Sequence, residues 1–163
     1  MIYLGIDPGL LKTGFGLIKI KDYPYYMDSG YINVIKINNF SKKLNLIYSG
    51  ISEIISHYCP YEIAIEEVFI SNKKNIFKTL RLIQARGTAI VCAANNNLPV
   101  FEYSSRLIKQ CITGYGASTK VILKKIVSSF FKVRYIKNYD AIDAIAIALT
   151  HYYNINKKKK NII

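Results

Sequence analysis

Acids are scarce in this sequence, and so are the residues that staple or break a chain. Its 163 residues include 10 Asp and Glu, three cysteines, four prolines and no tryptophan. Cys59, Cys92 and Cys111 are odd in number, far apart and outside any C-x-x-C pair. Only His57 and His151 could join them, which argues against a disulfide framework and against a zinc site. Free thiols of this kind fit a reducing compartment. No uninterrupted apolar run approaches the roughly 18 residues that span a bilayer. The N-terminal MIYLGIDPGLLK lacks a basic leader and carries Asp7 inside its apolar stretch, which speaks against a signal peptide. The expectation is a soluble, cytoplasmic protein with no membrane partner. Internal repeats and Gly/Ser/Pro linkers are also missing, so the length is that of one domain. Such a domain buries roughly 70% of its unfolded surface.

What the chain has in excess is positive charge, 23 Lys and Arg against 10 acids for a formal +13. An excess of this size attracts a polyanion by steering and counterion release. Lysine far outnumbers arginine, however, and Ile, Asn and Tyr are abundant. A compositional drift shared by any protein from the same source would produce that pattern, so basicity alone carries modest weight. The scarcity of acids is more useful, because the few in apolar surroundings stand out.

The hydrophobic pattern divides the chain clearly. Residues 2–6 read as a short buried strand ended by Pro8-Gly9, and residues 13–20 and 25–35 complete a three-stranded antiparallel meander. Apolar positions at Leu44, Ile47, Ile51, Ile54, Ile55 and Tyr58 predict a helix over 41–58. Residues 62–69 return to strand, a long helix follows over 75–95, and 98–103 form another strand. A short helix over 104–113 stops at Gly114. Ser118 is expected to cap a helix reaching about Lys132, and Asn138 a last helix over 139–152. This order predicts an α/β domain over 1–153, a mixed sheet of antiparallel meander plus parallel strands flanked by helices. A basic, flexible tail is expected over 154–163.

Four acids occupy conspicuous places. Asp7 and Glu66 end strands, while Asp140 and Asp143 are three apart at the start of the last helix and share one face, with Cβ atoms roughly 5–6 Å apart. Burying one carboxylate costs solvation free energy, and clustering several raises their pKa values by repulsion. A divalent cation removes both penalties. Mg²⁺ prefers oxygen ligands, and two such ions roughly 3.5–4 Å apart support phosphodiester cleavage. Each acid also has a plainer reading. Asp140 and Asp143 could complement the helix dipole for roughly 0.3–1 kcal/mol. Glu66 or Glu67 could pair with a lysine at a sheet edge. Asp7-Pro8-Gly9 could be only a turn, or, with Gly14, a phosphate-binding turn like that of actin-like ATPases, although those close a cleft between two domains. Spacing alone does not bring the four together.

The joint pattern is more specific. Ile6-Asp7-Pro8-Gly9 with Thr13-Gly14-Phe15-Gly16, then Ile65-Glu66-Glu67-Val68-Phe69 with Gln84-Ala85-Arg86-Gly87, resemble two blocks of the RuvC-type Holliday-junction resolvases, the crossover junction endodeoxyribonucleases. Leu98-Pro99-Val100-Phe101-Glu102-Tyr103 with Lys109-Gln110, and Asp140-Ala141-Ile142-Asp143-Ala144, resemble the remaining two, in order and over about residues 2–152. The resemblance implies an RNase H-like fold and a Mg²⁺-dependent homodimer that nicks two like-oriented strands of a four-way DNA junction. It implies two ions per site, with Mn²⁺ able to substitute, and a junction-bound branch-migration helicase complex as partner. Carried over position by position, the metal-binding and catalytic acids fall on Asp7, Glu66, Asp140 and Asp143. The basic residues near the scissile phosphate, catalytic and DNA-binding, fall on Lys109 and Lys120. A DNA-contacting aromatic falls on Phe69, for which a core position is the plainer reading. Arg86 is open between DNA contact and helix packing. His151, about two turns beyond Asp143, reads as structural. Ile76, Leu80, Ile83 and Ile90 are open between sheet packing and a dimer interface. The segment between Phe69 and Gln84 is about two residues longer than the family's usual connection and carries Lys73, Lys74, Lys78 and Arg81. The competing functions are an RNase H-like nuclease for another nucleic acid and a non-catalytic junction-binding protein.

Overall fold

The computed structural model describes residues 1–68, 76–133, 136 and 138–160, the last three of these as backbone. Among the described residues five strands form one sheet: β1 (Ile2–Asp7), β2 (Lys12–Ile20), β3 (Pro24–Asn33), β4 (Glu62–Glu66) and β5 (Val100–Tyr103). Their order is β3-β2-β1-β4-β5. The first three pair antiparallel, as short turns permit, while β1–β4 and β4–β5 pair parallel across helical crossovers. This is the expected mixed sheet. Helices α1 (Phe40–Tyr58) and α2 (Ile76–Asn95) cover one face, and α3 (Ser105–Thr113), α4 (Lys120–Phe131) and α5 (Tyr139–Lys160) cover the other.

Side chains alternate across a strand, so each face builds its own core. Leu4, Ile6, Leu17, Ile63 and Ile65 meet Ile47, Ile51 and Ile55 of α1 and Ala85, Ala89 and Cys92 of α2. On the opposite face Tyr3, Ile18 and Ala64 meet Ile142, Ile145 and Ala146 of α5, with Leu123 and Val127 of α4 above. Each fully buried branched side chain contributes roughly 1.5–3 kcal/mol relative to exposure. Every residue of α5 from Ala141 to His151 is buried, because the helix lies between the sheet and α3/α4.

That helix sits unusually low on the sheet. A Cβ built at Gly5 would lie 2.0 Å from the Ala144 carbonyl oxygen. At Gly14 it would lie 2.2 Å from that of Asp140, and at Gly16 it would lie 2.5 Å from the Ile145 nitrogen. Only glycine allows backbone to approach backbone this closely.

Several boundaries differ from the sequence reading for local reasons. β4 stops at Glu66, not Phe69, because its partner β5 ends at Tyr103, where Ser104 caps α3 by accepting from the Leu107 N–H at 3.3 Å. β5 starts at Val100 because the Leu98 N–H is taken by the Ala93 carbonyl at the end of α2. The cap of α4 is Thr119, whose hydroxyl accepts from the Ile122 N–H at 3.4 Å. Ser118 instead turns inward and accepts from the Thr113 hydroxyl at 2.9 Å. α5 continues to Lys160, past the end expected at Tyr152.

Candidate active site

Parallel pairing decides where the first two acids go. β1 and β4 run the same way with Ile6 beside Ile65, so Asp7 and Glu66, one residue further on each strand, leave the sheet at the same edge. On its other side Asp7 pairs with Gly14. With no side chain there, the first turn of α5 comes down onto the strand, and that turn carries Asp140. Asn138 fixes its start by accepting the Asp140 N–H at 3.0 Å. Asp143 follows one turn later and is 7% exposed. All four expected acids thus reach one region at the edge of the sheet.

Their electrostatics register the crowding. Burial pushes the Asp7 carboxyl well above the usual carboxylate range, and the negative charges of Glu66, Asp143 and Asp140 push it further, against the pull of Lys120. Glu66 is also raised by burial and then by Asp143, opposed by a hydrogen bond from the Ser105 hydroxyl and by Lys120 and Lys109. Lys120 reads the same field from the other side. Burial works against its charge. A 2.6 Å hydrogen-bonded ion pair with Asp143 and the attraction of Asp7 and Glu66 outweigh that, so its pKa rises. Among the described residues no three His, Cys, Asp or Glu groups stand close enough to enclose an ion as they are placed. Repulsion separates uncompensated carboxylates, and the Lys120 ammonium holds Asp143 to itself.

Two hollows meet at Glu66. A small cavity of about 90 Å³ is lined by Glu66, Ser105, Lys109, Lys120 and Asp143 over an apolar floor that includes Ile108 and Leu123. A larger groove of about 310 Å³ runs past Asp7, Pro8, Glu66, Glu67, Leu82 and Ser105. Lys109 and Lys120, both carried over by resemblance, therefore stand beside the acids. The donor set is entirely carboxylate oxygen, crowded and partly buried, which suits a hard divalent cation such as Mg²⁺.

Other residues fall elsewhere. Phe69 lies outside the described residues. Arg86, left open by the sequence, has a holding role: its Nε–H donates to the Glu66 carbonyl at 3.2 Å and its guanidinium pairs with Glu102. His151 is fully buried between the Tyr103 hydroxyl (2.8 Å) and the Glu62 carboxylate (2.7 Å), which is the structural role expected of it. Sequence reasoning passed over Ser105. The only available signal was the doublet Ser104-Ser105 at a helix start, of which the cap uses one.

An acid-lined, lysine-flanked cleft at the edge of a mixed sheet defines the class: this is an RNase H-like α/β domain. The model of the family described as Crossover junction endodeoxyribonuclease RuvC matches residues 3–151, and the chain belongs to that family. It is 49% identical over 153 residues to the crossover junction endodeoxyribonuclease RuvC of Chromohalobacter salexigens, covering 93% of this chain and 81% of that one. The Haemophilus influenzae protein of the same name is 44% identical over 155 residues, covering 94% and 80%. Among solved structures, T. thermophilus RuvC in complex with Holliday junction substrate superposes with a TM-score of 0.88 at 23% identity. It covers 97% of this chain and 96% of that one, a likeness of fold. The resemblance read from the four motifs is borne out. No described helix is long and apolar enough to cross a membrane.

Proposed function

We propose that this chain is a structure-selective endonuclease that resolves four-way DNA junctions by Mg²⁺-dependent phosphodiester hydrolysis, cutting two like-oriented strands during recombination and repair. One observation carries the reading most directly. In a member of the crossover junction endodeoxyribonuclease family, Asp7, Glu66, Asp140 and Asp143 crowd one edge, where two lysines offset only part of their charge. A protein that only bound DNA would gain nothing from four clustered acids that repel phosphate. Asp7, Glu66, Asp140 and Asp143 would hold two Mg²⁺ ions, for which Mn²⁺ can substitute. When bound, the ions would polarise the scissile phosphodiester and ease formation of the attacking hydroxide. Lys109 and Lys120 bind the phosphate and offset charge that develops on it. With the acids engaged by the ions, Lys120, now paired with Asp143, would be free to contact phosphate. Phe69 stacks on a base near the branch point.

The working unit in this reading is a homodimer, because a twofold pair matches the approximate twofold symmetry of a four-way junction. The outward face of α2 supports it. Leu80 and Val91 are 48% and 53% exposed, and a Cβ at Gly87 between them would touch nothing within 4 Å. A glycine in mid-helix costs about 1 kcal/mol and has no use inside this chain, but it lets a second helix come close. Ile76 is likewise exposed, whereas Ile90 packs inward. A branch-migration helicase complex in the cytoplasm is the expected partner.

A supercoiled plasmid carrying an extruded cruciform tests this. With Mg²⁺ the protein should linearise it by paired cuts, and Asp7→Asn should lower cutting by about 100-fold or more while junction binding persists. Accumulated nicked circles with a monomeric mass would overturn the dimer. Junction binding without any cutting would overturn the nuclease.

A further inference from the structure

Of the four acids, Glu66 has the longest side chain and so the most freedom to miss its target. Its backbone is held from two sides. The Arg86 Nε–H donates to its carbonyl, and Glu66 pairs with Tyr103 at the end of the β4–β5 ladder, where the next N–H, that of Glu67, donates to the Tyr103 carbonyl at 2.9 Å. None of those bonds orients the carboxylate. The side chain of Ser105, the first residue of α3, lines the same two hollows as Glu66, and its hydroxyl favours the charged form of that carboxylate. The cap of α3 is supplied by Ser104, so the Ser105 hydroxyl has no duty to the helix. Among the described residues, Ser105 is also the one besides Glu66 that lines both the small cavity with Lys109, Lys120 and Asp143 and the groove with Asp7. It stands where the two hollows join.

We infer that Ser105 is a positioning residue for divalent-cation binding, its hydroxyl donating to one carboxylate oxygen of Glu66 and turning the other toward Asp7 and Asp143. The inference rests on the metal-dependent reading above. A hydroxyl in this place removes one rotational freedom from the ligand before the ion arrives, and a partner of this kind is typically worth 10–100-fold in metal affinity.

Mn²⁺ binding to the DNA-free protein, followed by electron paramagnetic resonance, tests this apart from cleavage. Ser105→Ala should weaken Mn²⁺ binding about tenfold, with junction binding in chelator and melting temperature close to those of the unaltered protein. Ser105→Thr, which keeps the hydroxyl, should restore it. Equal Mn²⁺ affinity for Ser105→Ala and the unaltered protein would overturn the inference while leaving the nuclease reading intact. So would a folded Ser105→Thr as weak as Ser105→Ala, since packing and not the hydroxyl would then be at work. If the unaltered protein bound no Mn²⁺ and cut no junction, the functional reading would fall and this inference with it.

Discussion

β4 carries a glutamate at each end, and the two have opposite fates. Glu62 accepts from Nε2 of His151, a fully buried ring whose Nδ1 meets the Tyr103 hydroxyl. Burial, then the charge of Glu62, pushes the Tyr103 phenol up to about 12, so it stays a proton donor. Each ring nitrogen of His151 therefore has a polar partner, Tyr103 at Nδ1 and Glu62 at Nε2. At the other end Glu66 faces Asp7 and Asp143, all of one sign, with only lysines and a serine hydroxyl in relief. The first end is closed and needs nothing further. The second is left short of positive charge by the chain itself. A single strand and a single helix, α5, serve both, so the contrast comes from partners and not from fold.

Three variants break or sharpen that contrast. His151→Ala should have the largest effect on stability, about 3 kcal/mol or more. It opens a cavity beside Tyr3 and Phe101 and leaves the Tyr103 hydroxyl and the Glu62 carboxylate without their bonds. Cleavage per folded molecule should be unchanged, which denaturant unfolding and a single-turnover assay would establish together. A parallel collapse of cleavage would mean that the two ends are not independent. Gly14→Ala should cost less in stability, about 2 kcal/mol, but should abolish cutting. The new methyl would overlap the Asp140 carbonyl and lift the first turn of α5 from the sheet. Full activity in that variant would show that Asp140 need not sit where it does.

Asp7→Asn is the mildest change for the fold and has the opposite sign. Because the folded pKa of Asp7 lies above its unfolded value, the folded state holds the proton longer. In chelator its contribution to stability is therefore lost as pH rises from the ordinary carboxylate range through the folded pKa, and the penalty stays in full above it. Asp7→Asn should remove that penalty, giving a gain on the order of 1 kcal/mol at neutral pH that vanishes in acid. Thermal melts across pH, with and without Mg²⁺, read it directly. A variant less stable than the parent at neutral pH in chelator would show that Asp7 is not strained.

Legibility follows the same division. The acids at strand ends could be found because each terminates an apolar run in a chain with few acids, and the order of the four motifs tied them to a family. The fold class followed from periodicity. What could not be read is what depends on distant partners. His151 meets Glu62 and Tyr103, 89 and 48 residues away, and nothing local marks either. The neighbours Ser118 and Thr119 are both fit to cap α4, and the Thr113 hydroxyl across the turn settles which one does. Ser104 and Ser105 present the same ambiguity at α3. Apolar residues continue past Glu66 and extend the expected strand to residue 69, while the ladder with β5 ends at Glu66 opposite Tyr103.

The low seat of α5 also bears on how the gene can change. A glycine codon begins with two G letters, and any replacement of either by A or T adds a side chain or a stop. At Gly5, Gly14 and Gly16 that side chain would land on the backbone of the helix that presents Asp140 and Asp143. Alanine codons begin with GC, and the same mutational pressure at Ala144 or Ala148 would bring in a larger or polar residue against the sheet. A genome drifting toward A and T can therefore load the surface with lysine, asparagine, isoleucine and tyrosine. At this seam it meets a steric barrier, and the codons along it should stay G- and C-rich at their first two letters even as the rest of the gene does not.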